Sequence, residues 1–182
     1  MIEHLIESLQ NSPVVKKGEY NYFVHPITDG IPSIEPVVLR EVAVGMIRLL
    51  DLKGINYIVA AEAMAIPIGT AISLMTDIPL NVIRKRRYGL PGEHEVAQQT
   101  GYSKGQMFIN GLSSGDRVVI VDDVISTGGT VNGILKTLGE MGVEVCGICF
   151  AIKKGTPQID RPYTYLVAIE VTDAVNIVDR SI

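Results

Sequence analysis

The sequence predicts an α/β fold, a twisted, mainly parallel sheet flanked by helices. Two observations carry that prediction. Short β-branched runs alternate with stretches of helical apolar spacing along most of the chain. The strongest run, Val118-Val119-Ile120-Val121, passes into two acids and then into a glycine-containing turn that opens a helix. Strands alternating with helices make a parallel sheet covered on both faces.

The elements follow in order. Residues 1–9 form a short amphipathic stretch. Over 37–50 apolar positions recur three and four apart, which predicts a helix. Gly54 breaks it, and 55–60 is a buried strand. Residues 67–75 are expected as a helix and 79–83 as a strand. A long polar segment, 84–105, follows; a connection of that length in a compact domain is functional or disordered. Residues 106–110 predict a short strand, Gly115-Asp116 a turn, and 117–121 a strong strand. Residues 128–141 predict a helix stopped by Gly142. Two further strands are expected at 143–152 and 163–169. The whole of 1–182 is expected to be one domain. Its ends, about 1–35 and about 155–182, are expected to form a small hood. That hood would cover the carboxyl edge of the sheet, where such folds bind ligands.

The bulk composition narrows the function classes. With 47% apolar and 20% charged residues the chain is ordinary for a globular protein. A net charge of −4 argues against nucleic acid as a partner, so any bound anion must be held locally. Residues 55–75 are apolar but carry Asn56, Glu62 and Pro67, which argues against a membrane span. The N-terminus lacks the basic start and apolar run of a signal peptide, so the expected location is the cytoplasm. Cys146 and Cys149 form a C-x-x-C on an expected strand, where residues three apart face opposite ways. They are expected to be buried structural thiols.

Chemistry concentrates in residues 118–130. Asp122 and Asp123 stand together at the expected end of a buried strand. Unpaired, two such carboxylates repel each other and are costly to desolvate. Sugar hydroxyls or a divalent cation would give them partners. Ser126, Thr127, Gly128, Gly129 and Thr130 then open a helix. The N–H groups of a helix start hold a phosphate, and the hydroxyls add donors. A strand ending in two acids also occurs in P-loop ATPases, but the G-x-x-x-x-G-K-[ST] loop they need is absent from the sequence.

This segment closely resembles the phosphoribosyl-diphosphate (PRPP) motif of type I phosphoribosyltransferases. The resemblance implies that Asp122 and Asp123 hold the ribose hydroxyls as the catalytic acids, and that residues 126–130 hold the 5-phosphate. It also implies Mg²⁺ as cofactor, PRPP and a purine base as substrates, and a homodimer. Two further segments resemble the diphosphate sites of this family. One is the turn at Ala61, Glu62 and Ala63; the other is Arg84 and Lys85 at the start of the R-K…L-P-G loop of adenine enzymes. That loop would close as a lid, keeping water from an oxocarbenium-like centre. Tyr22 and Phe23 match aromatic residues that stack on the purine in the N-terminal hood of adenine enzymes, and Val124 is a further purine-side candidate. His25 is expected to be structural.

The base is the open question at this level. Adenine enzymes carry a Glu-Tyr pair late in the lid; here the stretch is Thr100-Gly101-Tyr102-Ser103, without the acid. Over nearly its whole length the chain resembles archaeal hypoxanthine/guanine phosphoribosyltransferases of the adenine-like branch. A 6-oxopurine needs a donor at position 6, a lysine or a backbone N–H, and Lys153 and Lys154 are the candidates among the lysines. Transfer to hypoxanthine or guanine is therefore the expected reaction. Adenine on the same scaffold, or a non-catalytic PRPP-sensing regulator, are the alternatives.

Overall fold

A computed structural model of the chain describes residues 2–18, 20–99 and 104–182. Helix α1 (Glu3–Gln10) leads into a small antiparallel hairpin, β1 (Val14–Lys17) and β2 (Tyr20–Phe23), and then a single helical turn, α2 (Pro26–Asp29). The predicted alternation follows. It comprises α3 (Pro36–Leu49), β3 (Tyr57–Ala61), α4 (Ala65–Thr76) and β4 (Leu80–Ile83). After the hairpin β5 (His94–Gln99) and β6 (Lys104–Ile109) it resumes with β7 (Arg117–Ile125), α5 (Gly129–Glu140) and β8 (Glu144–Lys154). The chain closes with β9 (Thr164–Val171) and β10 (Val175–Arg180).

The central sheet has six strands in the order β10-β9-β8-β7-β3-β4. All neighbours are parallel except β10, which runs antiparallel to β9. Residues 155–182, expected in the hood, therefore contribute β9 and β10, the strands at one end of this sheet. The chain leaves β3 in one direction, through α4 to β4, and leaves β7 in the other, through α5 to β8. Two right-handed crossovers in opposite directions put their helices on opposite faces. The cores agree. Ile68 and Ile72 of α4 pack with Ala60, Val119 and Val121, together with Val42 and Met46 of α3. Val131, Ile134 and Leu138 of α5 pack with Val59, Val118 and Ile120 on the other side. Adjacent strand residues thus feed different cores, which is why the run 118–121 is apolar throughout. Gly69 lets α4 lie close on the sheet; a Cβ there would come 2.7 Å from Leu80 Cδ1 and 3.1 Å from Ala60 Cβ.

Three expectations change. Strand β7 does not stop at Val121 but runs through the acids to Ile125, because β8 continues beside it as far as the pair Ile125↔Lys153. The polar segment 84–105 is not one loop: His94–Gln99 pairs with Lys104–Ile109, anchored by buried Val96, Met107 and Ile109 on the α5 side. Of the two cysteines only Cys149 is buried. Cys146 is exposed, because the register slips from Val118↔Val145 to Val119↔Gly147 and leaves it as the extra residue of a bulge.

His25 is fully buried and caps α2, its Nδ1 accepting from Ile27 N–H at 3.1 Å while Nε2 contacts Ser8 Oγ at 2.9 Å. Burial lowers its pKa from 6.5 to about 4, although the Asp29 carboxylate pulls the other way. The unfolded chain therefore takes up this proton before the folded chain does, and stability falls with pH through that window. About 2 to 3 kcal/mol should be lost between pH 7 and pH 4 through this residue. His25→Asn keeps an acceptor for the cap, and urea titrations at the two pH values should show that share of the loss removed.

Candidate active site

The reversal of chain direction between β3 and β7 opens a crevice at their carboxyl ends, the usual ligand position in such sheets. A cavity of about 600 Å³ lies at the end of β7, on the side of β8. Its floor is Asp122, Val124 and Phe150, and one wall is the turn 126–130. The β1–β2 hairpin lines it as well, through Lys17, Tyr20 and Tyr22.

Asp122 and Asp123 are half-buried, and Asp123 N–H donates to Asp122 Oδ1 at 2.9 Å. Burial raises the pKa of both carboxyls, and the charge of Asp122 raises that of Asp123 further. Such a pair is short of hydrogen-bond donors or positive charge and suits a ligand that brings them. Beside it, Gly128 caps α5 at φ +92 with no side-chain cap. The first N–H drawn into the helix is Asn132's, which donates to Gly128 O at 3.0 Å. The turn before it presents backbone to the cavity, the arrangement that binds an anion. The segment around Gln158 braces this turn: Gln158 N–H donates to Thr127 O at 3.1 Å and Asn132 Nδ2 donates to Gln158 O at 2.8 Å.

The two segments expected to hold diphosphate meet. Arg84 Nε lies 3.0 Å from Glu62 Oε2, and the same oxygen accepts from Lys85 N–H at 3.1 Å. Glu62 therefore ties the turn after β3, with Ala61 and Ala63, to the cations after β4. The backbone of Arg84 is fixed as well, by N–H···O bonds to and from Phe108 at 3.0 and 2.7 Å. Farther along, Glu93 gathers the loop: it accepts from Tyr88 N–H at 2.8 Å and Gly89 N–H at 3.0 Å, and Arg87 pairs with it at 3.5 Å. The stretch Thr100-Gly101-Tyr102-Ser103 lies outside the described residues.

At the hairpin end the structure separates residues that the sequence grouped. Tyr22 lines the cavity, and its hydroxyl donates to Asp29 Oδ1 at 2.9 Å. Burial, then that bond, pushes its pKa up to about 12. Phe23 is instead a core residue, 5% exposed. Lys153 is not among the lining residues, and its Nζ lies 5.0 Å from the centre of the Tyr165 ring. Lys154 Nζ donates to Tyr20 Oη at 2.6 Å and fastens the hairpin to the end of β8. Lys17, Tyr20 and Phe150 were missed. A Lys-Gly turn between two four-residue strands is a weak signal, and nothing local ties it to residue 122.

A family model described as the phosphoribosyl transferase domain matches residues 42–180, more than three quarters of the chain. The chain belongs to the phosphoribosyltransferase family. It is 70% identical over 177 residues to the hypoxanthine/guanine phosphoribosyltransferase of Methanospirillum hungatei, covering 97% of each chain. It is 54% identical over 180 residues to that of Methanosphaerula palustris, covering 99% of each. Among solved structures it resembles the adenine phosphoribosyltransferase of Rhodothermus marinus, with a TM-score of 0.70, 21% identity, and 90% and 96% coverage. It also resembles the Trypanosoma brucei adenine enzyme in complex with AMP, pyrophosphate and ribose-5-phosphate. There the TM-score is 0.71 at 16% identity, covering 90% of this chain and 78% of the other. These structural likenesses concern the fold. The matched region of this phosphoribosyltransferase holds the acid pair, the 126–130 turn and the Glu62–Arg84 pair. The hairpin with Lys17, Tyr20 and Tyr22 lies outside it.

Proposed function

We propose that the chain transfers the 5-phosphoribosyl group of PRPP to hypoxanthine or guanine, giving IMP or GMP and diphosphate. The observation that carries this reading is one cavity lined together by Asp122, whose neighbour Asp123 completes the acid pair, by an anion-binding helix start and by two tyrosines. The names of the most similar relatives support the choice of base.

In this mechanism the turn 126–130 anchors the 5-phosphate and so fixes the sugar over the floor. Asp122 and Asp123 hold the ribose hydroxyls. Their charge favours the cationic ribosyl centre that develops as the bond from C1 to diphosphate breaks and the bond to the purine nitrogen forms, the N–H proton of the purine passing to the released diphosphate or to water. Arg84, with Lys85 behind it, neutralises the departing diphosphate, and Glu62 keeps Arg84 in place. Tyr22 offers the base a ring face. Among the described residues no group of three or more metal-binding side chains is found. Carboxylates are the donor type that Mg²⁺ takes, and Asp122 and Asp123 would be the residues that help to hold it. When bound, that ion would supply charge neutralisation for the leaving group.

The test supplies PRPP, Mg²⁺ and each purine in turn and detects nucleotide and diphosphate. Hypoxanthine and guanine should be consumed. No nucleotide from any base would remove the enzyme reading, and AMP as the main product would reassign the base. Arg84→Ala should raise the KM for PRPP by about tenfold, roughly the worth of one charge-assisted contact, with the KM for hypoxanthine unchanged.

A homodimer in the cytoplasm is part of the same reading. Helix α4, Ala65–Thr76, carries no charged residue, yet Leu74 is 79% and Met75 47% exposed. A helix apolar on both sides is normally covered, and a second copy would cover this one. Among the described residues no helix is long and apolar enough to cross a membrane.

A further inference from the structure

We infer that Lys17 reads position 6 of the purine, donating to the carbonyl of hypoxanthine or guanine; this rests on the function proposed above. The cavity is lined by the start of α5, the anion-binding element, and by the β1–β2 hairpin, which is left to the base. Few groups there are available to a purine edge. The Tyr22 hydroxyl donates to Asp29, and the Tyr20 hydroxyl, which accepts from Lys154 at 2.6 Å, offers only an uncharged O–H. Lys154 also reaches Asn21 O at 3.4 Å, and Lys153 lies over Tyr165. Among the described lining residues Lys17 is the only cation.

Lys17 is exposed, and it pairs with Tyr20 across the hairpin. Its Nζ rests 4.7 Å from the centre of the Tyr22 ring. That ring is itself fixed, because Asp29 also accepts from Thr28 Oγ1 at 2.6 Å and from His25 N–H at 3.0 Å. An exposed ammonium over a tyrosine face is weakly held. A charge-assisted hydrogen bond to a carbonyl oxygen is stronger, so a 6-oxopurine at the mouth draws Nζ off the ring. Adenine presents an amino group at that place, with its hydrogens outward. Lys17 gains nothing from it and stays on Tyr22. The ring thus parks the ammonium next to the atom that distinguishes the two base classes.

The test compares wild type with Lys17→Met and Lys17→Arg. It measures kcat/KM for hypoxanthine and guanine at saturating PRPP, the KM for PRPP, and the affinities for GMP and AMP by calorimetry. Lys17→Met should lower kcat/KM for the 6-oxopurines and the affinity for GMP by about tenfold to a hundredfold. AMP affinity and the KM for PRPP should stay as in wild type, and Lys17→Arg should retain most of the preference. An unchanged GMP-to-AMP ratio in Lys17→Met, with wild type still converting hypoxanthine, overturns the role of Lys17 and leaves the proposed function standing. A raised KM for PRPP with equal loss for both nucleotides places Lys17 on the phosphate instead and also overturns it. Wild type that converts no 6-oxopurine overturns the function itself.

Discussion

The double variant Asp122→Asn/Asp123→Asn should lose about a thousandfold in turnover, the scale expected when preorganised charge facing a transition state is removed. It should also be more stable than the wild type at pH 8. The two effects share a cause. Both carboxyls have pKa values raised by burial, and Asp123 is raised again by Asp122 beside it. A carboxyl whose folded pKa exceeds its unfolded value of 3.8 stabilises the fold fully only below 3.8, and that stability is lost as pH rises through the folded pKa. At pH 8 the wild type therefore carries a penalty, because it must either confine negative charge or hold a proton that the unfolded chain has released, and asparagine does neither. A gain of about 1 to 2 kcal/mol is expected at pH 8 and little at pH 4, read from urea midpoints. Ligand supplies the missing partners, so PRPP with Mg²⁺ should stabilise the wild type much more than the variant. Wild-type turnover in the double variant would sink the ribose assignment, and equal stability at both pH values would sink the account of strain.

The same pair shows why much of this site was legible before any coordinates. A β-branched run, two acids and a hydroxyl-and-glycine turn are contiguous, and the strand-turn-helix order fixes their relative placement. The order of the main strands and helices was legible for a similar reason: each signal is local and periodic. What failed was what depends on a distant partner. Strand β7 reaches Ile125 only because β8 lies alongside to pair with it. Strand β5 exists because His94–Gln99 finds Lys104–Ile109. Lys153 and Lys154 are adjacent in sequence, but one meets Tyr165 and the other crosses to Tyr20, more than a hundred residues earlier. Phe23 goes to the core while its neighbour Tyr22 goes to the cavity, a choice made by the alternation of a two-stranded ribbon too short to announce itself. Residues 122–131 of the cavity lining are one segment, whereas Lys17, Tyr20, Tyr22 and Phe150 come from β1, β2 and β8.

Gly128→Ala should be a severely damaging change for the addition of a single carbon. The residue sits at φ +92, where a side chain is strained. A Cβ there would also overlap the carbonyl oxygen of Gln158 and lie 3.3 Å from Ile159 Cγ1. That carbonyl cannot easily retreat, being held by Asn132 Nδ2 at 2.8 Å, while Gln158 N–H is bonded to Thr127 O. Relief must come from moving the turn itself, which is the proposed phosphate cradle. A loss of about 3 kcal/mol or more in stability is expected from backbone strain and overlap together. The kinetic effect should fall on PRPP, with kcat/KM lowered by about a hundredfold or more, since misplacing an anchor of this kind disorients the reacting carbon. Gly139, exposed on the same helix with nothing within 4 Å of its would-be Cβ, is the control. Gly139→Ala should be neutral or stabilise by up to about 1 kcal/mol, since alanine is the better helix former. Calorimetric melting of both variants, with and without PRPP, separates the cases. If Gly128→Ala melts like the wild type and is still stabilised by PRPP, the turn has room that its geometry denies, and it is not the element that fixes the phosphate.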